Sequence, residues 1–208
     1  MRFYERQRKV EETVYEAIET IAEELNLNVP YYPEVYWTGN KLYFDSLYLA
    51  EKHRGEMEER QHTRNSWFLT RPEIIFIGRD HPITHSEEAA HFLHRVNARF
   101  TYCNKSRQDN IAIKILDEML AFFCSKLIVR ERGNPYFLHG NSPNGVDKKI
   151  FDNTDFLIYY QGYGLGERLF YAYTSGKCHK NYIRNIFFRN FQKKGQASKT
   201  YIELDKIL

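Results

Sequence analysis

Apolar residues recur at helical spacing over residues 4–26. Val10, Val14, Ala17, Ile18, Ile21 and Leu25 form one stripe, with Glu and Arg between them. The pattern predicts a long amphipathic helix, ended by Asn26-Leu27-Asn28-Val29-Pro30. Glu34-Val35-Tyr36-Trp37, the turn-forming Thr38-Gly39-Asn40 and Lys41-Leu42-Tyr43-Phe44 read as a β-hairpin. Residues 50–69 are polar and charge-rich, which suggests a short helix and an exposed loop. The β-branched run Glu73–Ile77 reads as a strand.

After a connector, Ser86 is placed to cap a helix that runs to about Asn97, with an acidic first turn at Glu87 and Glu88. Residues 109–130 predict a second long helix. Its middle is apolar apart from Asp117, Glu118, Ser125 and Lys126, as in a largely buried element. Residues 132–149, rich in Gly, Asn, Pro and Lys, read as a long surface loop and a candidate hinge or lid. A further helical pattern covers 155–174, opens on Gly162, Gly164 and Gly166, and stops at Ser175-Gly176. A last helix is expected over 179–190, and 192–200 reads as a basic polar tail.

The expected fold class is α+β, a small mixed β-sheet packed against a mainly helical body. With 208 residues the chain can bury a core as one domain. That domain divides into an N-terminal helix (1–30), a sheet and a chemistry-bearing helix (31–105), a helical part (106–195) and a tail (196–208). Sixteen Tyr and fifteen Phe point to an ordered core with polar-tipped walls. The net charge of +3 does not by itself imply nucleic acid. Cys103, Cys124 and Cys178 lack any C-x-x-C spacing, so a disulfide framework or a cysteine zinc site is not expected. No stretch approaches the ~18 apolar residues of a membrane span, and the N-terminus has no apolar signal core. The expected setting is cytoplasmic, with no membrane partner.

The candidate chemistry lies in Glu87-Glu88-Ala89-Ala90-His91, one residue away from the zinc-protease helix H-E-x-x-H. Residues 87 and 91 leave the same helix face, so two ligands could converge on one ion. Glu88 lies one step round, where it could take a proton from a metal-bound water. His94 falls near the same face. A third ligand is needed, and the candidate is Glu118, 27 residues after His91 on the next helix. Asp117 is the runner-up, projecting more than a quarter-turn away. His81 and His85 are weaker substitutes, and Tyr159, Tyr160, Tyr163 and His139 are candidate oxyanion partners. The glycines at 162, 164 and 166 admit a phosphate-loop reading, but no βαβ unit or G-K-[ST] step accompanies them. Close backbone approach explains them better.

The order of strand, Glu87–His91 helix and Glu118-x-x-Ala121 helix resembles the gluzincin branch of the zincin metallopeptidases, over roughly residues 70–176. Ala90-His91-Phe92-Leu93-His94 is close to the family's small-His-apolar-apolar-His form, and the Tyr-rich, Gly-rich segment 159–176 is similar to a C-terminal helix of small members. The resemblance implies a zincin-like fold. It implies metal ligands at Glu87, His91 and Glu118, with Glu88 as general base. It also implies peptide binding along the strand before the motif helix, here Glu73–Ile77. Glu87 stands where the family has its first histidine.

A Glu-His-Glu site could hold Zn²⁺, or harder ions such as Mn²⁺ or Fe²⁺; a metal-free protein is the third alternative. Three carboxylates around one ion oppose keeping Glu88 as a mild base. The expectation is therefore a metallopeptidase-related protein with hydrolysis impaired or lost. The alternative is a nucleic-acid-associated or regulatory binding protein. It would use the basic aromatic C-terminus, Lys177, Lys180, Tyr182, Arg184, Phe187, Phe188, Arg189, Phe191, Lys193 and Lys194.

Overall fold

The computed structural model describes residues 3–37, 67–70, 73–78, 80–100, 106–131 and 153–208. The first helix, α1 (Phe3–Leu25), forms where the 3.6-residue stripe demands it. Val10, Val14, Ile18, Ile21 and Leu25 are all fully buried. Asn26 ends it in the left-handed region at φ 53°, and Leu27 N then donates to Ala22 O at 2.9 Å. A glycine usually takes that position; asparagine is the next best tolerated.

Three strands follow: β1 (Glu34–Trp37), β2 (Trp67–Thr70) and β3 (Glu73–Ile77), in the order β1-β3-β2. β1 pairs parallel with β3, Glu34 opposite Ile74. β2 pairs antiparallel with β3, Trp67 opposite Phe76. Ile74 to Ile77 are buried on both faces, which explains why this strand is an unbroken apolar run rather than an alternating one. The sheet is thus small and mixed, as expected, but its pairing differs from expectation. β1 joins β3 in parallel, and the proposed hairpin partner at 41–44 lies outside the described residues. Trp67–Thr70, expected in a loop, is a strand. Its two-residue link to β3 makes the pair a hairpin.

The second helix, α2 (Pro82–Asn97), starts one turn before Ser86. Proline at the first helical position has no N–H to leave unsatisfied and a φ already suited to the helix. The His81 side chain caps it, accepting from Ile83 N at 3.3 Å. Ser86 instead donates inside the helix, to Pro82 O at 2.6 Å. At the far end Asn97 bonds both ways with Asn28, each at 2.9 Å, and so ties α2 to the exit of α1.

The long helix α3 (Arg107–Glu131) is central and packs against α2, α4 (Asn153–Thr174) and α6 (Gln196–Ile207). Gly162 and Gly166 sit in the interior of α4, one turn apart on one face. A Cβ on Gly162 would lie 2.5 Å from Glu118 Cβ, and one on Gly166 would lie 2.7 Å from Met119 O. The glycines therefore permit close helix packing; they do not form a phosphate loop.

A turn with Gly176 at φ 74° leads to α5 (Lys180–Phe187). β5 (Asn190–Phe191) then pairs parallel with β4 (Arg99–Phe100). Residues 196–208 are not a tail. They form α6, which buries Ala197, Thr200 and Leu204. Asp109 anchors its start, accepting from Gly195 N at 2.7 Å, Ser198 N at 3.2 Å and Ser198 Oγ at 2.9 Å. Among the described residues no helix is long and apolar enough to cross a membrane.

Candidate functional site

α2 and α3 lie side by side, and their facing surfaces carry the candidate residues. On α2, Glu88 and His94 are buried, while Glu87 and His91 are only partly so. On α3, Asp117 and Glu118 face this group from the opposite side. Glu87, Glu88, His91 and Glu118 lie within electrostatic reach of one another. Each of the three glutamates feels the His91 charge, and Glu88 and Glu118 each feel that of Glu87.

The closest partner of His91 is not Glu118. Asp117 Oδ2 lies 2.9 Å from His91 Nδ1, and Asp117 Oδ1 lies 2.7 Å from His94 Nδ1. One carboxylate thus clamps two imidazoles one helical step apart. The His94 contact is a hydrogen bond, while the His91 approach is off-axis and is best taken as an ion pair. His94 is held further by edge-on contacts with Phe187 at 5.9 Å and Phe191 at 6.1 Å. Helical angle alone places Asp117 second to Glu118 as a partner for His91. The signal that could have raised it is the His91/His94 pair, since two imidazoles at i, i+3 call for an acidic neighbour.

The electrostatics follow from burial. Burial pushes Glu87 up to about 7 and both Glu88 and Glu118 up to about 8, with His91 opposing the rise in each case. Glu88 Oε2 is shielded from solvent and has no hydrogen-bond partner among the described residues. Burial also raises Asp117, but the charges and hydrogen bonds of His91 and His94 outweigh it and hold Asp117 well below the carboxylate range. Burial would lower His91, yet Asp117 first, then Glu118 and Glu88, hold it well above the usual imidazole range. The His91–Asp117 imidazolium–carboxylate pair thus sits among three carboxyls whose acid forms burial favours, with Glu87 the first of them to ionise as pH rises.

α4 closes the third side. Tyr163 stacks on Phe122 at 4.8 Å and meets Tyr159 edge-on at 5.9 Å. Burial raises the Tyr163 phenol well above its ordinary range, and Glu87, Glu118 and Glu88 add to this. Tyr160 is turned outward, 45% exposed. His85 lies 3.3 Å from Asp80, which Arg6 also pairs with, so it belongs to a link between α1 and the α2 entrance. His81 caps α2. His139 and the 132–149 loop lie outside the described residues.

The resemblance implies zinc, and the donor types suit a metal: carboxylates, an imidazole, and an acid gripping the imidazole's other nitrogen as second ligands do. Their placement does not. Among the described residues no three His, Cys, Asp or Glu side chains close on a common point for an ion. Glu118 is set against α4 at Gly162, and Asp117 takes the place beside His91.

Two other expectations meet the geometry here. Both edges of Glu73–Ile77 are already occupied by β1 and β2, so a peptide cannot add to that strand; among the described residues β1 and β2 are the edge strands. Of the aromatic C-terminal residues, Phe187 and Phe191 are buried, and Phe188 lies half-buried under Arg184 at 4.9 Å. They belong to the core and its edge, not to a stacking surface. No protein-family model, no curated protein and no solved structure matches this chain.

Proposed function

We propose that this chain is a zincin-like, metallopeptidase-related protein in which hydrolysis is impaired or lost and peptide binding is retained. The observation that carries the reading is the Asp117 clamp. His91 matches the family's second zinc histidine, yet an anion from the next helix holds it together with His94. Support for the relationship comes from chain order: a strand pair, the Glu87-Glu88-x-x-His91 helix, then the Glu118 helix, packed directly together. Support for lost hydrolysis comes from Glu87 in the first-histidine position. It also comes from Glu88, which must be ionised to act as a base and is buried where its acid form is favoured.

In this reading a peptide partner pairs with the outer edge of β2, the antiparallel edge strand of the sheet.

The test is metal analysis of the purified protein and of Glu87→His after equilibration with Zn²⁺, alongside hydrolysis of a quenched peptide library. The native chain is expected to hold less than stoichiometric zinc and to cleave nothing, while Glu87→His gains stoichiometric zinc. Turnover by the native chain that disappears in Glu88→Gln overturns the loss of hydrolysis. Zinc in neither form counts against the family relationship.

A further inference from the structure

A second site lies at the opposite end of α4. From Tyr163 to Ser175 is about 18 Å along a helix, so it is separate from the α2–α3 cluster. There the end of α4, the turn after it, the start of α5 and the end of α6 enclose a cavity of about 790 Å³. Small-molecule sites typically measure roughly 300–1,000 Å³.

Its walls are of two kinds. Tyr171, Tyr182 and Ile207 supply ring and aliphatic surface, with Tyr171 61% and Ile207 67% exposed. Lys177 and Arg168 supply positive charge, and His179 supplies a ring nitrogen. Arg168 also bonds Asp205 on α6 at 2.7 Å, which holds the two sides of the cavity together. His179 stands before α5 and makes no capping hydrogen bond with its side chain. The first-turn N–H groups of Lys180 and Asn181 precede the first α5 bond, Tyr182 N to His179 O at 2.9 Å.

The C-terminal segment that supplies much of the wall is basic. Residues 177–208 carry eight Lys or Arg and two Asp or Glu, whereas the whole chain carries 30 and 27. Of the eight, Lys177 lines the cavity, joined there by Arg168 of α4, and the chain outside 177–208 is net acidic. The buried positions of Phe187 and Phe191 leave Tyr171 and Tyr182 as ring surface within a concavity, not along a track. That arrangement suits one planar ring, not a strand of stacked bases.

We propose that this cavity binds a small phosphate monoester carrying a planar ring, of about the size of a nucleoside monophosphate. The ring lies against Tyr171 and Ile207, and the phosphate is met by Lys177 and His179. Cys178 takes no covalent part; it is buried, and burial pushes its thiol up.

The full chain is titrated calorimetrically with AMP, adenosine, inorganic phosphate and a single-stranded oligonucleotide. Saturable one-site AMP binding is expected, with adenosine and phosphate each at least about tenfold weaker, because each lacks one of the two contacts. Lys177→Ala and Tyr171→Ala, both at exposed positions, should each weaken AMP about tenfold or more. Lys199→Ala, outside the cavity, should leave AMP affinity unchanged. Backbone amide shifts on AMP addition should centre on residues 171–182. The proposal is overturned if AMP does not saturate. It is overturned equally if Lys199→Ala weakens AMP as much as Lys177→Ala, or if the oligonucleotide binds and AMP fails to compete.

Discussion

Replacing Gly166 with alanine tests whether α3 and α4 meet as closely as the structure places them. In an ordinary helix interior this change gains about 0.8–1 kcal/mol, because alanine loses less backbone freedom and shields the backbone. At Gly166 the new Cβ would stand 2.7 Å from Met119 O and 3.0 Å from Phe122 Cβ. Carbon contacts are most favourable near 3.5–4.0 Å, so the neighbours must retreat by close to an ångström. They are a backbone carbonyl and the root of a buried ring, and neither can swing aside. Overpacking of this kind costs about 1–3 kcal/mol. Gly164→Ala is the internal control, because nothing lies within 4 Å of its added Cβ. Both variants share the propensity gain, so their difference isolates the clash. A difference of about 2 kcal/mol corresponds to roughly 4–8 °C in melting temperature for a chain of this size. Urea and thermal unfolding of the two variants measure it. If Gly166→Ala melts at or above Gly164→Ala, the helices do not approach as closely as described, and the placement of Glu118 against Gly162 fails with it.

Glu88→Gln should stabilise the protein at pH 8 and have little effect at pH 5. The folded carboxyl titrates near 8, above its unfolded value, so its contribution is fully present below about 4.5 and is lost as pH rises through 8. Equal melting shifts at both pH values would count against a buried Glu88. Asp117→Asn removes the charge that holds His91 high, so the His91 titration followed by NMR should move down; an unmoved titration disposes of the clamp. In the native chain the paired His91 loses its contribution as pH rises through its raised folded value. The paired Asp117 loses its contribution as pH falls through its depressed one. Asp109→Ala should cost about 2 kcal/mol, since one carboxylate serves two backbone N–H groups and the Ser198 hydroxyl at the start of α6, and the Ser106 hydroxyl before α3. Hydrogen exchange should rise first in α6; protection unchanged there would show that another contact anchors it.

Elements whose burial is set along their own length were legible in the sequence. The α1 stripe, the apolar β3 run and the buried middle of α3 each carry their pattern locally, and each forms within a few residues of its expected span. What was missed depends on partners distant in sequence. Trp67–Thr70 is too short to declare itself a strand, and only pairing with β3 makes it one. Residues 196–207 look like a polar tail until Asp109, 86 residues upstream of Gly195, supplies the cap. The early start of α2 was readable from Pro82 and its preference for the first helical position. The serine cap at 86 drew attention away from it.

The candidate site shows the same division at atomic scale. Helical periodicity correctly groups Glu87, Glu88, His91 and His94, because all four belong to one helix and its period is fixed. It cannot choose between Asp117 and Glu118. Those two leave α3 about 100° apart, and which one meets α2 depends on how α3 is rotated about its own axis. That rotation is set where α3 meets α4, at Gly162 and Gly166, which let α4 press in and bring Gly162 against the root of Glu118. The root of Glu118 thereby lies against α4, and Asp117 is the acid that meets the imidazoles directly. Two glycines on α4 thus decide which acid of α3 reaches the histidines of α2. A substitution at Gly162, whose added Cβ would meet Glu118 and the α3 backbone, should therefore shift the His91 titration from the neighbouring helix.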